Sequence, residues 1–173
     1  MLSYSSTSSK LFKFFRISSL VFAISCYSFG NRAVLFRIRT KDGTFIIDSS
    51  YPHEILHNWW GNGVYPDYDS GNWSEGLTTY LADHLFREKD GVGHEYRKEM
   101  LARYKNYVSD GDDFPLSRFT SRNSAATQAV GYGKTLMLWH MLRLQVGDEL
   151  FIEGLRRFYA EYEFKRASFT DIE

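Results

Sequence analysis

The pentapeptide His53-Glu54-Ile55-Leu56-His57 constrains the fold of this 173-residue chain more than any other feature. On an α-helix, residues i and i+4 share one face, about 6 Å apart along the axis. Two imidazoles so placed converge on one metal ion at about 2.0–2.1 Å each. Glu54, between them, addresses a water in the open coordination position instead of the ion. Local signals favour the helix. Ser49 and Ser50 offer N-caps, Pro52 falls in the first turn, and Gly61-Asn62-Gly63 ends the run after about Trp60. The same pentapeptide also occurs on solvated helix faces, so it gains meaning only beside a further ligand.

A second helix opens at Ser74 and runs to about Arg87, with Leu77, Tyr80, Leu81, His84 and Leu85 on one stripe. Glu75 lies in its first turn. Alone, it reads as a carboxylate answering the helix dipole; beside the histidine pair it reads as a third ligand. Two His and one Glu leave a fourth position for water, the donor set of a catalytic zinc. The expectation is one Zn²⁺ per chain. Asp83, two turns beyond Glu75, is a candidate partner for a ligating imidazole, against the default of a solvated helix carboxylate. His84, His94 and His140 have no ligand-like partners at useful spacing and read as surface or core residues. Trp59 and Trp60 read as core packing.

The run His53-Glu54-Ile55-Leu56-His57-Asn58-Trp59-Trp60-Gly61-Asn62 resembles the zinc helix of the aminopeptidase N family of gluzincin metallopeptidases. Trp73-Ser74-Glu75-Gly76-Leu77 is similar to the segment that supplies the family's third ligand. Gly131-Tyr132-Gly133-Lys134 resembles the segment whose tyrosine stabilises the transition state. The three segments fall in order within about Phe45 to Glu173. The resemblance implies a mainly α fold, a thermolysin-like helical core with a short β-hairpin before the zinc helix. It implies a zinc peptidase acting on peptides, an aminopeptidase, with His53, His57 and Glu75 as ligands and Glu54 as general base. Tyr132, which by residue type alone reads as a buried aromatic, becomes the oxyanion stabiliser.

The chain departs from the family in several places. The segment joining His57 to Glu75 is one residue shorter than usual, Ser74 replaces a common asparagine, and Thr135 replaces the glycine after the lysine. Nothing between Met1 and Ser50 matches the family's Gly-x-Met-Glu-Asn segment, which holds the substrate's α-amino group. A fragment or truncated relative is therefore expected, and a second reading stays open: a zinc-binding chain without catalytic activity. A glycyl aminopeptidase-type relative shares the same motif and helix start, but Trp59-Trp60-Gly61-Asn62 favours the aminopeptidase N side.

Elsewhere the chain reads as a β-hairpin over Ala33–Ile47, a loop over Val64–Asn72, a helix over Glu95–Val108 and a loop over Asp110–Asn123. Arg118 and Arg122 flank this last loop, either meeting a peptide carboxylate or, as the better expectation, standing as solvated cations. A helix carrying Leu136, Met137, Leu138, Met141, Leu142 and Leu144 is apolar nearly all round and is expected to be buried. A last full helix carries Phe151, Leu155, Phe158 and Tyr159, and Ser168 or Thr170 caps a further one that the chain does not complete.

Residues 1–30 stand apart from residues 31–173, which form the partial catalytic domain. Lys10, Lys13 and Arg16 precede the apolar run Ile17–Phe29, the pattern of a secretory signal or weak signal-anchor. Export or membrane association is expected if the segment is a signal, and a cytoplasmic location if not. Acidic and basic residues balance at 21 each, which leaves no global field to attract nucleic acid. The expected partner is a peptide substrate. Neither an oligomeric state nor, from the single Cys26, a redox compartment follows.

Overall fold

The structure, a computed structural model, describes residues 51–108 and 111–172. The hairpin expected over Ala33–Ile47, the Ser49 and Ser50 caps and the basic-apolar segment 1–30 lie outside the described residues. Among the described residues no helix is long and apolar enough to cross a membrane.

The described chain is mainly α, with little strand, as the resemblance implies. Helix α1 covers Tyr51–Leu56 and strand β1 Tyr65–Pro66. A long helix follows in three parts: α2 (Ser74–Thr79), a π-helical turn (Tyr80–His84) and α3 (Leu85–Lys89). Helix α4 covers Gly93–Tyr107, two residues earlier at its start than the sequence suggests. A second π-helical stretch, Ala129–Lys134, joins α5 (Ala125–Gln128) to α6 (Thr135–Val146), and α7 spans Asp148–Tyr162. Strand β2 (Arg166–Ala167) pairs in parallel with β1, in the register Tyr65 with Arg166 and Pro66 with Ala167.

The α2 stripe is the centre of the core. Leu77, Tyr80, Leu81, His84 and Leu85 are all buried, as 3.6-residue periodicity requires. Two glycines let the site-bearing helices approach closely. A Cβ at Gly76 would run into the Thr135 side chain, and one at Gly131 into the Phe119 ring. A second cluster fixes the loop between α1 and α2. Trp60 stacks on Phe158 at 6.1 Å and meets Trp73 edge-on at 6.3 Å, while the Trp73 indole donates to the Ala167 carbonyl at 2.7 Å. The backbone of Tyr65 and Asp67 donates to Lys165 and Ala167 at 2.9 Å each. Trp60 is therefore core, as its residue type suggests.

Two expectations change. Helix α1 ends at Leu56 instead of about Trp60, because the chain tightens: Asn58 N–H bonds the Ile55 carbonyl and Trp59 N–H that of Leu56. Helix α6 is not buried all round. Leu136 and Trp139 face the core, but Leu138, Met141 and Leu144 are exposed, since α2 and α7 pack against only part of its circumference. Ser168 precedes the last helical turn, as the sequence suggests. Its N–H and hydroxyl both donate to Asp171 (2.7 and 2.6 Å), which closes a short 3₁₀ turn over Thr170–Ile172.

Candidate metal centre

Three side chains from two helices converge. His57 N–H bonds the His53 carbonyl at 3.3 Å, so the i,i+4 relation survives although α1 ends one residue earlier. His53 Nε2 and His57 Nε2 lie 3.2 Å apart, and Glu75 Oε2 lies 3.4 Å from each. Together they form the one His/Glu group found among the described residues that could hold a metal ion.

The remaining imidazole nitrogens decide what the triangle can do. His57 Nδ1 faces the Trp60 carbonyl at 2.9 Å, an acceptor, so it carries the proton and leaves Nε2 with a lone pair. His53 Nδ1 donates to Asp83 Oδ2 at 3.1 Å, with the same consequence. Gly61, at φ +134°, lets the backbone pass His57, where a Cβ would sit 3.2 Å from Nδ1. Two imidazole lone pairs and a carboxylate oxygen facing one point repel one another unless a cation or proton lies between them. Zinc bonds of about 2.0–2.1 Å in a tetrahedron place ligand atoms about 3.3–3.4 Å apart. The observed edges of 3.2, 3.4 and 3.4 Å fit that spacing.

The titration of these groups follows from the same contacts. Burial works to lower the His53 pKa, but the carboxylates of Asp83 and Glu75 more than offset it and raise the value to about 9. Burial works to raise the Glu75 pKa, while bonds from His53 and His57 hold it well below the usual carboxylate range.

Both π-helical stretches carry residues of this site. In an unbroken α-helix Asp83, eight residues past Glu75, would sit about 80° round the axis from it. The wider turn over Tyr80–His84 slackens the winding, and Asp83 reaches His53. Tyr132 lies in the second stretch. Its ring lies nearly parallel to that of His53, 6.2 Å between centroids. Burial raises the Tyr132 pKa and the Glu75 charge raises it further, while the Arg122 guanidinium, 5.7 Å over the ring, works the other way. Glu54 is exposed beside this group.

The structure thus brings together His53, His57, Glu75, Asp83 and Tyr132. Arg118 is exposed on the 3₁₀ turn Leu116–Arg118. His94 is exposed beside Glu95 at 4.0 Å. Among the described residues His84 and His140 join no metal-ligating group, in line with the core role expected of them, and their rings lie 5.5 Å apart within a polar network. Sequence reasoning missed two further residues. Thr78 is fully buried with its hydroxyl 3.3 Å from His53 Nε2. Asn72, also buried, accepts at Oδ1 from the N–H and hydroxyl of Ser74 (3.1 and 2.7 Å). Its position ahead of the Ser74 helix start was the available signal.

The Peptidase family M1 domain matches residues 34–173. The chain belongs to peptidase family M1. M1 peptidases are in general zinc-dependent, which agrees with the donor set found here. Among similar proteins, the alanine/arginine aminopeptidase of Saccharomyces cerevisiae is 27% identical over 127 residues, 69% of this chain and 15% of that protein. Aminopeptidase 2, mitochondrial, of the same yeast is 25% identical over 127 residues, 69% of this chain and 13% of its own length. Probable aminopeptidase 1 of Saccharolobus solfataricus is 25% identical over 128 residues, 69% of this chain and 16% of its own length. The M1 chain thus spans 13–16% of the length of these curated relatives. No solved structure matches it.

Proposed function

We propose that the chain is a zinc-dependent peptidase, acting as an aminopeptidase, with His53, His57 and Glu75 holding one Zn²⁺. Glu54 serves as general base and Tyr132 as oxyanion donor. The observation that carries the reading is the triangle of Nε2, Nε2 and Oε2, with each imidazole's other nitrogen already committed to a fixed acceptor.

When bound, zinc supplies Lewis-acid polarisation of the scissile carbonyl and acidifies a water toward a pKa of about 7. Glu54 takes the proton of the attacking water and passes it to the amine nitrogen as the C–N bond breaks. Tyr132 donates a hydrogen bond to the carbonyl oxygen as negative charge develops there. Its pKa, held above the ordinary tyrosine value, keeps the donated proton in place at neutral pH. Asp83 and the Trp60 carbonyl fix the tautomers of His53 and His57, so that Nε2 of each stays available. Aminopeptidase action draws support from the names of the three relatives.

The test is hydrolysis of an amino-acid anilide panel by the zinc-loaded chain and its Glu54→Gln variant. Turnover by the wild type and its loss in the variant, with zinc retained in both, supports the reading. Zinc in both without turnover in either favours the zinc-binding, catalytically silent chain instead.

A further inference from the structure

We propose that Arg122 binds a carboxylate of the peptide substrate beside Tyr132, so that the site favours substrates carrying an anion close to the scissile bond. The assignment rests on the peptidase reading above and adds a substrate class to it.

Three observations carry it. First, the Arg122 guanidinium lies over the Tyr132 ring, 5.7 Å from its centroid, and that ring lies nearly parallel to the His53 imidazole, 6.2 Å between centroids. An extended peptide advances about 3.3–3.6 Å per residue. A guanidinium at this distance therefore lies within about two residues of a carbonyl held at the Tyr132 hydroxyl.

Second, Arg122 has no carboxylate partner among the described residues, whereas Arg103, Lys134 and Arg143 each hold one at 2.6–2.9 Å. It is exposed, so its fork of donors is open to a planar anion, and a carboxylate matches that fork with two parallel hydrogen bonds.

Third, the backbone around this exposed side chain is anchored on both sides. Asn72 donates from its amide nitrogen to the Thr120 carbonyl at 3.2 Å and from its backbone N–H to the Phe119 carbonyl at 2.6 Å. The same Asn72 receives the N–H of Ser74, the residue before Glu75. After Arg122, Asn123 and Ser124 donate backbone N–H groups to the Thr127 hydroxyl at 3.0 and 2.9 Å, within the capping box that starts α5. The cation is thereby held in register with both Glu75 and Tyr132, and little ordering is left to substrate binding.

The anion has two sources, a free C-terminal carboxylate or an acidic side chain next to the scissile bond. Titration calorimetry of the zinc-loaded Glu54→Gln chain with leucyl-alanine, leucyl-alanine amide and leucyl-aspartic acid amide separates them. At least one carboxylate form should bind roughly three- to tenfold more tightly than leucyl-alanine amide. Preference for leucyl-alanine identifies the C-terminus, and preference for the aspartyl amide identifies the side chain. Adding Arg122→Gln should abolish the preference, and Arg122→Lys should restore part of it. Equal dissociation constants for the three ligands, a preference that survives Arg122→Gln, or no binding of any ligand overturns the proposal. Wild-type turnover of the same compounds is read separately. Absent turnover with an Arg122-dependent preference sinks the peptidase reading and leaves the carboxylate site standing.

Discussion

The molecule holds two pairs of histidines, and their surroundings make them opposites. His53 and His57 are faced by carboxylates, from Glu75 and Asp83. His84 and His140 are faced by cations. The Arg97 guanidinium donates to His84 Nε2 at 2.7 Å, and Arg143 bonds the Tyr80 hydroxyl, which itself meets His140 Nδ1 at 3.1 Å. Arg143 is in turn held by Glu88 at 2.7 Å and Asp148 at 2.6 Å. The His53 pKa rises to about 9, while burial, Arg97, His140 and Arg143 push that of His84 down to about 3. A cation is welcome among the first pair and repelled by the second. Neighbouring charge, not the presence of histidine, separates the candidate metal site from a structural network.

The sharpest way to break this comparison is at the reacting end of the first pair. Glu54→Gln should lower kcat by about 10²–10⁴ without loss of zinc, measured by anilide hydrolysis beside metal analysis. Tyr132→Phe should lower kcat by about 10²–10³ with the metal retained. Asp83→Asn weakens the acceptor that orients His53, and zinc affinity in a chelator competition should fall about 10- to 100-fold.

The second pair should answer differently. His84→Leu strips Arg97 of its acceptor and should cost about 1–3 kcal/mol in unfolding free energy while zinc affinity stays as in the wild type. A matching fall in zinc affinity would erase the distinction between the clusters.

The two pairs also carry opposite pH signatures. The folded pKa of His84 is depressed, so its contribution to stability is complete above about 6.5. It is lost as pH falls from there toward about 3. That loss amounts to about 1.4 kcal/mol per pH unit, and thermal unfolding between pH 4 and 7 should show it in the wild type and not in His84→Leu. His53, with a raised pKa, contributes in the metal-free chain below about 6.5, and that contribution is lost as pH rises through about 9.

Much of the first cluster was legible in the sequence, because i,i+4 spacing and a first-turn glutamate are short-range facts of helix geometry. The meeting of Glu75 with the histidines rests on helix packing that the family resemblance implied, while the His53–His57 pair needed only its own helix to form. The stripe from Leu77 to Leu85 was legible for the same reason. Asp83 was visible only as a possibility, since its reach to His53 depends on a π-helical turn that periodicity does not announce. The second cluster was invisible: His84 and His140 are separated by 55 intervening residues and meet only through helix packing. The exposed side of α6 escaped too, because apolar composition reports what a helix is able to bury and not how much of it is covered. Arg122 read as a solvated cation because its place over Tyr132 depends on hydrogen bonds from Asn72, far away in sequence.

Zinc stoichiometry of the purified, folded chain tests the central claim most directly, with Glu75→Ala measured alongside. One equivalent in the wild type and a clear loss in Glu75→Ala is the predicted result. A folded wild type without zinc, or full occupancy after Glu75 is removed, would contradict the assignment of His53, His57 and Glu75 as the metal ligands.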